Sequence, residues 1–313
     1  MSRTTRAPRP HVAAFALLIV SLTTAASVEG QWTNRYPKLQ GYSHHVYLEG
    51  YELPALTNGP IDPAVSPDGR SIAFSSRGWI WVMGLETGHA VRVTSGRDMD
   101  SRPTWSPDGT TLAFVRDNDH ETAIVVIDAD TGAERLVIDS PALELDPAFS
   151  ADGAELYFSS GREGTLDLWV HDLTEGIVRR VTDAPGIELR PQPGGDQLVY
   201  LAKQGGDRIV RRTVAADGTE VETALQQGSI TSMTRPALSP DGTIVAYNWP
   251  TQSGWELRLM RVDAPGPTIL LVGDGLPLTP AWSPDGEWVY FAAADERERF
   301  GLKRVRRAGG PVQ

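Results

Sequence analysis

A short word, Ser-Pro-Asp-Gly or a close variant, recurs at an almost constant interval along this chain of 313 residues. Its aspartates are Asp68, Asp108, Asp152, Asp196, Asp241 and Asp285, so successive copies are 40, 44, 44, 45 and 44 residues apart. A proline stands five residues before each of these aspartates. The fourth copy, PQPGGDQ, is degenerate, but six copies at a common spacing still indicate an internal structural repeat.

Each repeat has the pattern of four short strands. The Ser-Pro-Asp-Gly word favours a tight turn, because proline fixes φ, aspartate bonds nearby backbone and glycine tolerates strained angles. Segments rich in branched and aromatic residues follow it, such as SIAFSS (Ser71–Ser76) and WIWVMGL (Trp79–Leu85). Units of four antiparallel strands in about 44 residues are typical of β-propeller blades. The sequence therefore predicts an all-β fold, a six-bladed β-propeller.

The start of the repeat region predicts how the ring closes. The segment YELPALTNG (Tyr51–Gly59) resembles the fourth strands of the repeats, yet it precedes the first repeat. The sixth repeat reaches Pro311–Gln313 where its own fourth strand would begin. We expect Tyr51–Thr57 to supply the outer strand of blade six, which would protect two strand edges. The alternative is that the sequence is the front part of a longer protein.

Residues 1–30 have the plan of a secretory signal peptide: Arg3, Arg6 and Arg9, then an apolar run at Val12–Val20, then small residues. We therefore expect a signal peptide at 1–30, an N-terminal extension at 31–50 and the propeller at 51–313. A periplasmic or secreted protein with no transmembrane segment after signal removal is predicted. The absence of cysteine excludes disulfides and thiol chemistry. The net charge of −11 argues against a nucleic-acid partner.

The repeated pattern, of which PTWSPDG and PAWSPDG are the clearest copies, resembles that of the TolB-like propeller-repeat family. The resemblance covers residues 60–313, about four fifths of the chain. It implies a propeller that binds partners in the cell envelope. The same family pattern is similar to the N-terminal propellers of secreted amidohydrolases and of prolyl-oligopeptidase-type peptidases, which implies a module of a larger hydrolase instead.

Motifs for catalysis or metal binding are incomplete in the sequence. No serine has the G-x-S-x-G surroundings of an α/β-hydrolase nucleophile. His120–Glu121 begins like a zinc motif, but Ile124 stands where the second histidine is needed. The adjacent His44 and His45 would point to opposite faces of a strand. We predict no catalytic residue, no metal and no cofactor, and we leave open a hydrolase or lyase that uses a carboxylate-rich channel mouth.

Two positions near the inner-strand prolines vary in charge from blade to blade. Because the first strand of each blade lines the channel, equivalent positions become rings, and a channel mouth is a natural binding concavity. The residues just before the proline are Asp62, Arg102, Asp146, Arg190, Arg235 and Thr279. The residues three positions before the proline are Pro60, Asp100, Glu144, Glu188, Met233 and Pro277. We predict a ligand-binding channel mouth built from Asp62, Asp100, Arg102, Glu144, Asp146, Glu188, Arg190, Arg235 and Thr279.

These observations predict an exported, non-enzymatic propeller that binds a protein, a peptide or a charged ligand at the channel mouth. The alternative is the N-terminal propeller module of a larger secreted hydrolase. The alternative to a binding site is that the charges of the two rings pair with one another and bind no ligand.

Overall fold

The computed structural model describes residues 57, 59–204, 206–215, 217–227, 235–252, 254–266, 268–295 and 299–313, without the side chains of 274 and 275. The chain divides into the units Met1–Thr33 and Asn34–Gln313, and all the described residues lie in the second. They form 23 β-strands and no helix. No helix long and apolar enough to cross a membrane occurs in this part of the chain.

The strands form six antiparallel sheets that follow the chain order, one per repeat. The strands of blades one to three are β1 (Ile61–Val65), β2 (Ser71–Ser76), β3 (Trp79–Gly84), β4 (Ala90–Arg92), β5 (Met99–Trp105), β6 (Thr111–Asp117), β7 (Thr122–Asp128), β8 (Glu134–Ile138), β9 (Glu144–Phe149), β10 (Glu155–Ser160), β11 (Asp167–Asp172) and β12 (Val178–Arg180). Those of blades four to six are β13 (Ile187–Gly194), β14 (Gln197–Lys203), β15 (Asp207–Val214), β16 (Glu220–Gln227), β17 (Ala237–Leu238), β18 (Ile244–Pro250), β19 (Trp255–Arg261), β20 (Ile269–Gly275), β21 (Leu278–Trp282), β22 (Trp288–Ala294) and β23 (Phe300–Arg306). The predicted six-bladed all-β architecture is confirmed.

The repeated word is the turn between the first two strands of a blade. In blade one, Ser66 Oγ donates to Asp68 Oδ1 at 2.6 Å and accepts the backbone N–H of Ser71 at 2.9 Å. The same Asp68 oxygen accepts the N–H of Arg70 at 3.0 Å, and Gly69 adopts φ +69°. Serine and aspartate together therefore satisfy the polar backbone groups of the turn, which explains why the word recurs.

The turns also connect neighbouring blades. A Cβ added to the turn glycine would lie within 4 Å of the turn proline of the preceding blade, at Gly109–Pro67, Gly153–Pro107 and Gly286–Pro240. The same relation joins the last blade to the first, since a Cβ added to Gly69 would lie 3.9 Å from Cδ of Pro284. The tryptophans of the two WSPDG copies add a second link, because Trp105 Nε1 donates to Ala64 O and Trp282 Nε1 to Ala237 O. The six blades thus form a closed ring.

Apolar side chains fill the interfaces between blades. Between blades two and three, Ile124 and Ile138 pack against Leu156, Phe158 and Trp169. Comparable clusters lie between blades one and two and between blades five and six. A single blade leaves both of its faces apolar, so burial is completed only when the blades stand side by side, and this provides the driving force for the ring.

Five blades have four strands, and the sixth has three among the described residues. Arg304 and Gln313 exchange two backbone hydrogen bonds, at 3.0 and 2.9 Å. In blade one, Val82 pairs with Val91 of the fourth strand at the equivalent position. Gln313 therefore lies where the fourth strand of blade six would begin. The strand predicted at Tyr51–Thr57 lies outside the described residues except for Thr57, whose carbonyl accepts the N–H of Arg77 at 3.2 Å.

We expect Gly59→Ala to destabilise the closure of the ring. A Cβ at Gly59 would lie 2.3 Å from the carbonyl oxygen of Phe300 in β23, and backbone on both sides would have to shift. Overpacking of this kind costs about 1–3 kcal/mol. Thermal unfolding measures the effect, with Gly301→Ala as the matched control because nothing lies within 4 Å of a Cβ there. Equal melting temperatures for the two variants would contradict the described contact between blades one and six.

Candidate functional site

The first strands of the six blades surround a cavity of about 700 Å³ at one end of the channel. Its outer part is formed by the Ser-Pro-Asp-Gly turns, including Pro67, Pro107 and Pro284, and its walls by inner-strand residues such as Ala64 and Phe149. Its inner part is formed by Asp62, Arg102, Asp146, Arg190, Arg235 and Thr279, which we call the floor ring. All six blades therefore contribute one floor-ring residue, as the sequence predicts for the position before the proline.

The backbone at the floor ring is unusual. Asp62, Arg102, Asp146, Arg190 and Thr279 all have φ between 50° and 57°, a region that ordinarily favours glycine. Each lies at a β-bulge, where the register between the first and second strands shifts. A bulge directs a side chain out of the regular alternation, and non-glycine residues at such angles cost about 1–3 kcal/mol each. Five blades hold this strained conformation, and it directs the side chains to the cavity.

In the part of the chain that the structure describes, two ion pairs are seen between members of the floor ring. Arg102 Nη1 lies 2.5 Å from Asp146 Oδ1, and both side chains are less than a tenth exposed. Arg235 Nη1 lies 2.7 Å from Asp62 Oδ1. Asp62 belongs to blade one and Arg235 to blade five. This second ion pair therefore spans blade six, whose floor-ring residue is Thr279 with its short side chain. The backbone N–H of Asp62 donates to Thr279 Oγ1 at 3.1 Å.

Polar residues of the second strands support the floor ring from behind. Ser75 Oγ donates to Asp62 Oδ2 and accepts the backbone N–H of Arg102, which ties blade one to blade two. Ser159 repeats this arrangement between Asp146 and Arg190, which ties blade three to blade four. The sequence patterns did not predict these supporting serines. The signal that could have found them is the serine pair that ends both SIAFSS and ELYFSS.

The floor ring carries more positive than negative charge. It contains three guanidinium groups, from Arg102, Arg190 and Arg235, and two carboxylates, from Asp62 and Asp146. Burial, and then the neighbouring guanidiniums of Arg190 and Arg102, lower the pKa of Arg235 to about 10 against the opposing effect of Asp62. A pKa near 10 still leaves Arg235 cationic at neutral pH. The floor of the cavity is therefore cationic although the whole chain is acidic.

The carboxylates three residues before the proline lie elsewhere. Asp100 binds Arg116 with oxygen–nitrogen distances of 2.8 and 3.1 Å, and Glu144 binds Arg162 at 2.9 Å. Both carboxyls are buried, which raises their pKa values. Glu188 is also buried, beside Asp167. The position thus forms no second ring in the cavity wall, because the bulge separates it from the floor ring and turns these side chains into the blades. Pro277 is absent from the cavity wall as well, and Met233 lies outside the described residues.

Glu188 and Asp167 form a buried carboxyl pair between blades three and four. Burial and the nearby charge of Asp167 raise the pKa of Glu188 well above its ordinary value. Asp167 Oδ2 accepts from Arg180 Nη2 at 2.9 Å and from Thr165 Oγ1 at 2.8 Å. Asp167 Oδ1 and Glu188 Oε2 are buried without a donor among the described groups, so a proton held by Glu188 satisfies both.

The raised pKa of Glu188 makes stability depend on pH. The folded protein retains a proton that the unfolded chain releases above about 4.5, so the stability that this proton provides is full below that pH and decreases as pH rises through the folded pKa. The slope reaches about 1.4 kcal/mol per pH unit. Glu188→Gln should flatten the curve of melting temperature against pH between 5 and 9. Parallel curves for the variant and the wild type would contradict the buried, protonated carboxyl.

The other polar motifs have structural roles where the structure describes them. Asp128 Oδ1 accepts from the backbone N–H and the hydroxyl of Thr131, so the segment DADTG (Asp128–Gly132) is a turn stabilised by aspartate. The Ser-Pro-Asp-Gly aspartates serve their own turns, as described above. His44 and His45 lie outside the described residues. No group of three histidine, aspartate or glutamate side chains suitable for a metal ion occurs within the described ranges.

The chain belongs to the TolB beta propeller domain family, whose model matches residues 48–285. Over 91 residues it is 33% identical to the uncharacterized peptidase YuxL of Bacillus subtilis, a match that covers 26% of this chain and 14% of the relative. Over 106 residues it is 30% identical to the Tol-Pal system protein TolB of Francisella tularensis, covering 32% of this chain and 23% of the relative. The chain thus matches less than a quarter of the length of either curated relative.

Solved structures share the fold. The crystal structure of TolB from Acinetobacter baumannii superposes with a TM-score of 0.65 at 22% identity, over 86% of this chain and 68% of that one. A prolyl endopeptidase matches with a TM-score of 0.54 at 16% identity, over 82% of this chain and 41% of that one. TolB and a prolyl endopeptidase are therefore both among the proteins that share this fold.

Proposed function

We propose that this chain is a non-catalytic, exported propeller that binds a peptide or a short segment of a protein partner in the cavity above the floor ring. The observation that carries the proposal is the ring itself: five strained, non-glycine residues direct charged or polar side chains to the floor of one concave cavity. Strain of this kind concentrates at binding sites. A cavity of about 700 Å³ lies in the range of ordinary ligand pockets.

Export belongs to the same proposal and is supported by the signal-like residues 1–30 and by the family. Similarity to TolB proteins, one of which is named a Tol-Pal system protein, supports an envelope protein as the partner. Similarity to the Bacillus subtilis peptidase YuxL supports the alternative, a propeller module of a larger hydrolase. Reading the coding frame beyond codon 313 separates the two, since several hundred further coding residues would favour the hydrolase.

Capture from an envelope extract of the source cell tests the binding proposal. The immobilised wild-type propeller is compared with a double variant, Arg102→Gln with Asp146→Asn, which removes one floor-ring ion pair without leaving a lone buried charge. The matched control is Arg261→Gln with Asp263→Asn, an exposed ion pair on an outer part of blade five. We expect the control to retain the partner of the wild type and the floor-ring variant to lose it. Equal capture by both variants would contradict a site at the floor ring.

A further inference from the structure

We propose that a bound peptide leaves the cavity across blade four, so that the partner is recognised by an extended segment that continues outside the cavity. This segment carries neutral or basic side chains where it crosses blade four. The inference rests on the proposed function and adds the path and the chemistry of the bound chain. It stands on the turns that surround the cavity and not on the charge of the floor ring.

The turn between the first two strands is shorter in blade four than in the other blades. In blade one, six residues form the turn beyond the last strand pair, Val65 with Ile72. The corresponding pairs of blades two, three, five and six also enclose six residues. In blade four the equivalent pair is Pro193 with Leu198, and only the four residues 194–197 lie beyond it. The rim of the cavity is therefore lower at blade four.

The contacts between neighbouring turns stop at the same place. The glycine–proline contacts described above run from blade five through blades six, one and two to blade three. In blade four, Gly194 and Gly195 take the positions of the serine and its neighbour in the repeated word. A Cβ added to Gly195, which has φ +63°, would have nothing within 4 Å. The gap above residues 194–197, between the turns of blades three and five, is therefore open, and we call it the notch.

Side chains from two blades hold the short turn of blade four in place. Gln197 Nε2 donates to the carbonyl oxygen of Gly242 in blade five at 2.7 Å, and Gln197 Oε1 accepts from Arg211 Nε at 2.7 Å. Leu238 of blade five covers Gly194, since a Cβ there would overlap Leu238 Cδ2. These contacts fix the turn close to the strands, so the notch is built into the ring.

The cavity extends toward the notch. Among their described turn residues, blades one, two and six each contribute the turn proline alone to its wall. Blades three, four and five contribute longer parts of their turns, residues 150–151, 194–197 and 239–242. A peptide bound in the cavity can therefore continue outward over residues 194–197 without crossing a raised turn. The glycines of this turn allow the backbone of a bound chain to approach closely.

The charge around the notch restricts which segments can cross it. Asp152, in the turn of blade three, and Asp196, in the notch, are both exposed. Ser150 Oγ donates to Asp152 Oδ1 at 2.6 Å, and this bond lowers the pKa of Asp152, which is therefore ionised at neutral pH. An acidic segment would be repelled here, whereas a basic side chain would be attracted.

A longer turn at blade four tests the path. The blade-four graft replaces residues 194–197 by Ser-Pro-Asp-Gly-Thr-Thr, the six-residue turn of blade two, and so raises the rim at the notch. The matched control, Arg70→Thr with Ser71→Thr, gives blade one the same turn without changing its length. The inserted serine meets only the end of the Leu238 side chain, which can rotate away. Thermal unfolding checks that both variants fold.

The probes are two pools of random dodecapeptides with acetylated and amidated ends. The first pool contains lysine and arginine but no acidic residue, and the second contains aspartate and glutamate but no basic residue. Peptides retained by the immobilised protein at physiological ionic strength are quantified by mass spectrometry. We expect the wild type and the blade-one control to retain the first pool about tenfold or more over the second. The blade-four graft should retain about a tenth or less of the first pool that the wild type retains.

Photo-cross-linking locates the bound chain without changing any turn length. Because the sequence contains no cysteine, Ala151→Cys can carry a single thiol-linked photo-cross-linker. Ala151 has the position from which the turn prolines of other blades contact the next blade, so it borders the notch. Pro67→Cys places the same label at the equivalent position of blade one. We expect peptides of the first pool to be cross-linked mainly by the label at Ala151→Cys.

The outcomes separate this inference from the proposed function. Equal retention of the first pool by the wild type and the folded graft, or equal cross-linking from the two labels, would overturn the path across blade four while leaving peptide binding at the cavity intact. If the graft does not fold, the cross-links decide. Equal retention of both pools by the wild type would overturn the preference for basic residues. Retention of neither pool would overturn the proposed function as well.

Discussion

Replacing Arg102 by alanine is expected to lower the free energy of unfolding by about 3–5 kcal/mol, among the largest effects of a single substitution in this protein. Arg102 Nη1 contacts Asp146 Oδ1 at 2.5 Å, and the two side chains are only 6% and 8% exposed. Removing one partner leaves the Asp146 carboxylate buried without its counter-charge, which costs far more than the pair contributes when it is intact. Denaturant unfolding of the purified variant measures the change.

The double variant Arg102→Gln with Asp146→Asn is the control for this prediction. It removes both charges and retains hydrogen-bonding side chains, and asparagine tolerates the φ of 53° at position 146. We expect it to be much closer to the wild type than Arg102→Ala is. If the single variant were as stable as the double variant, the ion pair would lie in a far more hydrated place than the structure shows.

Phe158→Ala is expected to cost about 3–5 kcal/mol by a different mechanism. Phe158 is fully buried between blades two and three, where it packs with Ile124 and Leu156. Loss of the phenyl group creates a cavity between blades two and three. The other blades of the propeller hold these two apart, so the interface cannot collapse to fill the cavity. The same unfolding experiment measures the effect.

Leu136→Ala is the control for the core substitution. Leu136 lies in β8 of blade two and is 51% exposed, so its truncation should change stability by only about 0.5 kcal/mol. A similarly small effect of Phe158→Ala would mean that the two blades can repack to fill the space left by the phenyl group. It would contradict the tightly packed blade interface.

The fold could be predicted because the repeat signals it many times over. Each Ser-Pro-Asp-Gly word uses a local device in which Ser66, for example, bonds both Asp68 and the backbone of Ser71. Local hydrogen bonds of this kind depend on residues close in sequence, so the word predicts the turn, and its spacing predicts the blade. Even the degenerate fourth copy at Asp196 lies in a four-stranded blade, because the pattern of its strands survives.

The candidate site could be predicted only in part. The residues before the prolines of all six blades line the cavity. Asp100, Glu144 and Glu188, two positions earlier, are buried away from it. In an unbroken strand the two positions would lie on the same face, because they are two residues apart and side chains alternate with a period of two. The bulge at Ser101–Thr104 breaks this alternation. Pro103 is compatible with an edge strand as well as with a bulge, so the sequence did not decide between the two. Whether the floor ring binds a ligand stays a prediction.

By itself, the sequence determined the number of blades, the turn chemistry and the residues that vary around the channel, because each of these depends on short-range patterns repeated at a fixed interval. Only the tertiary structure decided which charges meet. Asp62 and Arg235 are 173 residues apart and belong to blades that are not neighbours, yet their side chains lie 2.7 Å apart. Ring closure brings them together, and the strained backbone at the bulge of blade one turns Asp62 inward. The charge of the floor is therefore a property of the assembled ring, which no single repeat contains.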